Sequence, residues 1–444
     1  MIALPYVLIA LFIAFFCFDT KKAIMVAVMI RPIIECFYKV TYGFAGVRPP
    51  EFFGFLLPTL ICMKILMSRD KSFTRAPLSY LWIFYIYFQL FGTALILTVG
   101  NDALLGADYF YRALNGFVGF YLFQEFFKTK EDFRSLLLAH LVAGLAPLGM
   151  SAYQNILGGA IRSEATIGTL VRNIGFYHDA YTLRLYCFQT LAAALLYWCY
   201  FLSGTRRIIS RAILLVMSAV ALLGIFKLYS KAGYMVIAEW LVVWYVGRRQ
   251  FLQLGVLVLA ILVLCVTMRG QLKILDTLDT VYSKEVGAMQ GKEKSDRLFQ
   301  GRVGGWKAAL KEFEQSSIAL QLVGDGSSHT GAHNDFLRAL LGTGIFGLLL
   351  YCALLVSIGV RTVVNCVRQQ TPLNIMAVML IGMWLVDAMG LVPGAYPGYQ
   401  IFVWGFIGLA LRGVEGLETT AKAGSSQRTA AFEQPLETNS PCQI

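Results

Sequence analysis

Gly324-Asp325-Gly326 is followed by His333-Asn334-Asp335-Phe336-Leu337 and then by Gly344-Ile345-Phe346-Gly347. Titratable residues stop here and an apolar run begins, so His333 stands at the mouth of a helix, where an apolar medium meets water. Imidazole titrates near neutrality, which suits His333 to accept a proton from a hydroxyl. The plainer alternative is a helix-start histidine that only caps or touches a surface. The flanking Asn334 and the spaced Gly344 and Gly347 weigh against it, because such glycines allow close backbone or helix approach.

Three cations add to this. Arg302 lies in Gly301-Arg302-Val303-Gly304-Gly305-Trp306, just before a helical pattern whose free N–H groups suit a phosphate. A guanidinium grips phosphate in a two-pronged way that lysine cannot copy. Lys231 sits in the tight turn Tyr229-Ser230-Lys231-Ala232-Gly233, one helical turn after Lys227. The stretch Arg172-Asn173-Ile174-Gly175-Phe176-Tyr177-His178-Asp179 offers a phosphate-neutralising arginine and His178-Asp179 as an oriented acid–base pair. Taken singly, each has an ordinary reading: a solvated arginine, a snorkelling lysine, a surface loop.

No metal or cofactor is expected. His329 and His333 are four apart, but Gly331 intervenes and no third ligand lies nearby in sequence. The chain has neither a Gly-rich phosphate loop with a following lysine nor an Asp-x-Asp pair, which argues against a transferase fed by cytoplasmic nucleotides.

The elements that must position these residues are membrane helices. Hydrophobic residues make up 57% of the 444 and charged residues 14%. Thirteen apolar runs suit spans, at 2–18, 23–38, 51–67, 79–99, 104–127, 135–157, 184–203, 212–228, 232–246, 251–268, 334–360, 374–392 and 398–412. The first two are the weakest, since Arg31-Pro32 and Glu35 interrupt the second, so twelve or thirteen spans are expected. Runs this long are not barrel strands. The first lacks a basic start and a small-residue cleavage site, and is not read as a cleaved signal. Nine cysteines, mostly in or beside apolar runs and without metal spacing, do not form a disulfide framework.

The net charge of +12 is distributed in alternate short loops: Lys21/Lys22, Arg69/Lys71/Arg75, Lys128/Lys130/Arg134, Arg206/Arg207/Arg211, Arg248/Arg249 and Arg361/Arg368. That is the positive-inside pattern rather than a nucleic-acid surface. It puts loops 39–50, 100–106, 158–183, 229–231, 269–333 and 393–397 outside, together with His333 and the three cations.

Four regions follow: an N-terminal transmembrane region 1–268, a large outer loop 269–333, C-terminal transmembrane helices 334–412, and a tail 413–444 read as disordered and cytoplasmic. The large loop carries nine Lys/Arg against eight Asp/Glu and is expected to fold. Within it Trp306, Leu310, Phe313 and Leu320 recur at helical spacing. This amphipathic helix suits the bilayer surface, packing over the membrane domain, or the closing of a small subdomain.

His-Asn-two residues-Leu, six residues, Gly-two residues-Gly resembles the signature of the bacterial O-antigen ligase and polymerase family. Ser230-Lys231 resembles that family's Ser-Arg-Gly turn, with lysine for arginine and Ala232 displacing the glycine. Gly301-Arg302 to Trp306 resembles its arginine-to-tryptophan element. Arg172 to Asp179 resembles its Arg-x-x-Gly-Phe loop, with His178-Asp179-Ala180 in place of an Asn-Pro-Asn-like run. The four matches occur in order over about 172–347.

The resemblance implies a fold like the multi-span C-type membrane glycosyltransferases, in a bacterial inner membrane with the site on the periplasmic face. It implies an undecaprenyl-pyrophosphate-linked glycan donor and a saccharide acceptor, either a lipid-linked repeat or lipid A–core. His333 would be the base, with Arg302, Lys231, Arg172, Asn334, His178 and Asp179 at the substrates, and a chain-length regulator protein a partner. Polymerisation of O-antigen, capsule or exopolysaccharide is the favoured reading, because the His178-Asp179 loop departs from the ligase pattern. Ligation to lipid A–core is the alternative. A lipid-oligosaccharide flippase or transporter is the rival from another class, compatible with the intramembrane acids Glu239 and Asp387. Against it, the polar candidates cluster on one face and paired broken helices are not evident.

Overall fold

A computed structural model of the chain describes residues 3–39, 47–67, 72–100, 103–165, 170–202, 207–267, 274–292, 301–326 and 330–417. Of these, 83% are helical. The helices are α1 Leu4–Phe18, α2 Thr20–Glu35, α3 Pro49–Met67, α4 Ser79–Leu95, α5 Ala103–Phe126, α6 Lys130–Asn155, α7 Ala180–Phe201, α8 Ile208–Lys227, α9 Lys231–Gly247, α10 Phe251–Thr267, α11 Ile274–Met289, α12 Arg302–Gln315, α13 Ile318–Val323, α14 Asp335–Arg368, α15 Pro372–Gly390 and α16 Pro397–Arg412. A short antiparallel hairpin, β1 Ser163–Ala165 with β2 Val171–Asn173, lies between α6 and α7.

All thirteen apolar runs fold as helix. Among the described residues, α3, α4, α6, α8, α14 and α15 are long and apolar enough to cross a membrane, and α1 and α10 are shorter apolar helices. The helix surfaces expose large apolar side chains such as Phe84, Ile209 and Leu252. Water would not tolerate so extensive an apolar exterior, whereas lipid does. This is an all-α membrane fold.

Close helix packing sets its frame. A Cβ added to Gly119 of α5 would lie 2.8 Å from Ile401 Cα, and one added to Gly408 of α16 would lie 2.3 Å from Phe120 O. The backbones of α5 and α16 therefore approach as only glycine permits. Beside them Trp82, Trp384 and Trp404 form an aromatic cluster, with the last two ring centres 4.5 Å apart.

Several boundaries differ from expectation. Helix α7 starts at Ala180 rather than 184, because Asp179 accepts a hydrogen bond from Thr182 N at 2.8 Å and caps it. Helix α14 runs on to Arg368 rather than stopping at 360, since no breaker intervenes. The charges in α2 do not break it: Arg31 and Glu35 pair at 2.6 Å, mostly buried. The tail is not free from its first residue. Glu415 N donates to Lys128 O at 2.9 Å, and Val414 and Leu417 are buried. Residues 418–444 lie outside the described residues.

The large loop folds as α11, α12, α13 and a 3-10 turn, Thr330–Ala332. None of the residues of α12 is buried, and Leu310 and Leu320 are exposed. The stripe therefore neither closes a subdomain core nor buries itself over the bundle. Within the stripe Trp306 is anchored, its Nε1 donating to Ala332 O at 2.9 Å. After α13 the chain lies directly on α14: Asp325 N and Gly326 N donate to Leu341 O and Gly342 O at 3.2 and 3.0 Å. A Cβ on Gly324 would fall 2.3 Å from Gly342 C. Gly344, at φ +66° inside α14, would likewise meet Leu322 at 2.4 Å. The glycines singled out in the sequence clamp the loop to the helix that carries His333.

Candidate functional site

Helix N-termini converge at the His333 end of the bundle. Asp179 caps α7, Ser230 caps α9 by accepting from Gly233 N, and Asn334 caps α14 by accepting from Leu337 N at 2.9 Å. Gly301, at φ +85°, opens α12 at Arg302. These ends carry partial positive charge and unspent N–H groups. Two of the capping segments dock on the end of α15: Asn334 Nδ2 reaches Met389 O at 3.4 Å, and Arg302 Nη1 donates to Gly390 O.

Three arginines meet here. Arg172, on β2, directs Nη2 toward Tyr229 O at 3.5 Å. Arg184, one turn into α7, is almost fully buried. It donates to Ser230 Oγ at 2.8 Å, pairs with Asp387 of α15, and lies 4.8 Å over the Tyr181 ring. Asp387 also accepts from Tyr399 Oη at 2.9 Å. Arg302 is close enough to both that its pKa is lowered, first by burial and then by the positive charge of Arg172, with Arg184 contributing less. Arg184 already has Asp387 as its counter-ion, so the cations that an anion could neutralise here are Arg302 and Arg172, each felt by the other.

His333 has φ +48°, and Tyr229, just before the Ser230 turn, has φ +49°. Left-handed backbone at a non-glycine is sparsely populated and concentrates at functional sites. The His333 pKa is lowered, by burial and then by the neighbouring Arg302 charge. The shift favours the neutral imidazole, the form that accepts a proton. Under it, Asp335 is fully buried, receives Arg338 Nε at 2.7 Å, and is hydrogen-bonded by Tyr351. The first turn of α14 is fixed by this network.

The other expected residues fall into two kinds. Lys231 is ion-paired with Glu285 of α11 at 2.5 Å and lies 5.6 Å from the Tyr282 ring centre, so it already has a counter-ion. Asp179 spends one oxygen on the α7 cap and accepts from Tyr396 Oη with the other at 3.0 Å. Burial alone would raise its pKa, but hydrogen bonds from His178, Thr182 and Tyr396 together hold it low. His178 is largely exposed, packs edge-on against Tyr38, and has its pKa raised chiefly by Asp179, 3.5 Å away. The Asp179–Tyr396 contact ties this pair to the arginines, since Tyr396 is also felt by Arg302. His329 lies outside the described residues.

No protein-family model matches the chain, and no curated protein matches it at a significant level.

An open cavity of about 590 Å³ adjoins this centre, bordered by Arg302 and His333 at one part and by Glu312, Phe313, Asp325 and Leu341 elsewhere. Its size is that of a small-ligand site. The arrangement can hold a doubly charged phosphate group against fixed guanidinium groups and helix ends, and can remove a proton from a group in the adjoining cavity.

Arg184 was not among the residues singled out from sequence, and Asp387 figured there only as an intramembrane acid. The available signal was one arginine at the start of an apolar run and one aspartate near the end of another. Their pairing spans 203 positions, which no local pattern reveals.

Proposed function

We propose that the chain is a membrane glycosyltransferase that moves a glycan from a lipid-pyrophosphate carrier, of the undecaprenyl type, onto a sugar hydroxyl. The carrying observation is that Arg302, beside His333, lies within electrostatic reach of Arg172 at a meeting of helix N-termini, with Arg184 close by and already held by Asp387. Displacing a pyrophosphate from an anomeric carbon builds negative charge on the leaving group, which fixed cations stabilise without a metal. The anomeric C–O bond to the pyrophosphate breaks as a new C–O bond forms to the acceptor hydroxyl. Its proton passes to His333, and the lipid pyrophosphate departs. One such displacement inverts the anomeric centre.

The orientation of the site supports an outer-face reaction. Lys21 pairs with Asp132 at the start of α6, the opposite end of that helix from Asn155, whose side chain meets Asn173 beside Arg172. The Lys21/Lys22 loop thus lies at the end of α6 away from the site, which agrees with a cytoplasmic face for it under the positive-inside rule. In a cell with two membranes this is the inner membrane, with twelve or thirteen spans and the site facing the periplasm. We take polymerisation of lipid-linked repeats as the reaction, with transfer to lipid A–core as the alternative. The buried Asp387 is consumed by Arg184 and Tyr399, which removes one of the two acids that favoured a transporter.

The test is purified protein in liposomes with an undecaprenyl-pyrophosphate-linked repeat, followed by mass analysis of the lipid-linked products. Longer glycans and released carrier pyrophosphate are expected. Intact donor after prolonged incubation, with well-folded protein, would overturn the assignment.

A further inference from the structure

The cavity beside His333 has a graded charge. One face of α12 lines it, through Arg302, Gly305, Ala309, Glu312 and Phe313, all within one stripe of helical spacing. Gly305 and Ala309 leave the room; a Cβ on Gly305 would meet no atom within 4 Å. At 1.5 Å per residue, Glu312 stands about 15 Å along the helix from Arg302. Asp325 also lines it, its backbone fixed to Leu341 O, six residues beyond Asp335 in α14. The end near His333 is therefore cationic, and the regions away from it hold two carboxylates and an aromatic ring.

A phosphate-bearing donor belongs at the cationic end, and the rest of the cavity is unsuited to an anion. Carboxylates accept hydrogen bonds from hydroxyl and ammonium groups and repel other carboxylates. An aromatic face beside them covers the apolar C–H face of a sugar ring. We propose that this cavity is the acceptor subsite, and that Glu312 and Asp325 select an acceptor saccharide that is neutral or amino-bearing at that end over one carrying a carboxylate or phosphate. The proposal rests on the glycan-transfer reading above and specifies what it leaves open, the chemistry of the acceptor.

The experiment uses the full chain in its own membrane, in cells making the glycan, with a photo-reactive p-benzoylphenylalanine in place of Ala309. The exposed α12 surface gives the substitution room. Illumination is expected to attach a saccharide whose mass corresponds to a neutral or amino sugar unit. The same probe in place of Glu314, off the cavity stripe, should give none. Combining Glu312→Gln with Asp325→Asn should lower the adduct yield about tenfold or more, the scale of losing hydrogen bonds to charged groups. An adduct carrying an acidic sugar, an adduct of lipid alone, no adduct at all, or a yield indifferent to the double substitution would each overturn the proposal. Failure of the underlying reading is seen separately: cells with His333→Ala at normal abundance would still make full-length polymer.

Discussion

Replacing Arg302 by lysine tests the proposed mechanism most sharply. The guanidinium spends Nη1 on Gly390 O and retains its remaining N–H groups for a phosphate. A lysine ammonium has a shorter reach and no planar fork, so it would either keep the Gly390 contact or meet the pyrophosphate, not both. Losing a charge-assisted hydrogen bond costs about 1.5–3 kcal/mol. At about 1.4 kcal/mol per tenfold, donor turnover in liposomes should fall roughly 10- to 150-fold. Arg302→Ala should fall further, about 10²–10³-fold, the usual scale for a removed charge-stabilising donor. None of the α12 residues is buried, so protein abundance should hold, and that control separates chemistry from folding. Turnover by Arg302→Lys equal to the wild type would show that Arg302 is a structural clasp on α15 and that the pyrophosphate lies elsewhere.

His333→Ala should lose about 10²–10⁴ in transfer rate while remaining in the membrane; near-normal polymer at normal abundance would refute its role as base. Because burial and Arg302 both lower the His333 pKa, kcat/KM should fall with acid only below the ordinary histidine value of 6.5. Removing the Arg302 charge should move that limb to higher pH, and a limb that stays put would contradict the coupling. Asp387→Asn should destabilise the protein by about 3–5 kcal/mol, read as lost membrane abundance, because it strands the buried Arg184. Lys231→Arg should be tolerated, since arginine can keep the Glu285 pair, and a collapse of donor turnover would speak against that. Transfer should survive excess chelator; activity lost on chelation and restored by magnesium or manganese would displace the arginine-based mechanism.

Much of the fold was legible in the sequence because its causes are local. An apolar run must be helical in lipid, since only internal hydrogen bonds are available there, and all thirteen runs are helical. Caps are equally local: Ser230 and Asn334 sit at helix starts, and Asp179 moved one start four residues earlier. The residues His333, Arg302, Arg172 and Lys231 were identifiable because polar or charged groups beside apolar helices stand out. Gly324 and Gly344 gave a weaker signal, of close approach without a partner.

Only the tertiary structure decided which of these residues share a site. It brought Arg302 and Asn334 onto the end of α15 and placed Arg302 within electrostatic reach of Arg172 and Arg184. It paired Lys231 with Glu285 and took Asp179 for a cap and a tyrosine. It also showed that Arg184, inconspicuous in an apolar run, is held by Asp387 across 203 positions. Hydropathy and capping act over one or two helical turns and are written in neighbouring residues. Helix docking depends on side-chain and glycine contacts between segments hundreds of residues apart, and no short pattern records it.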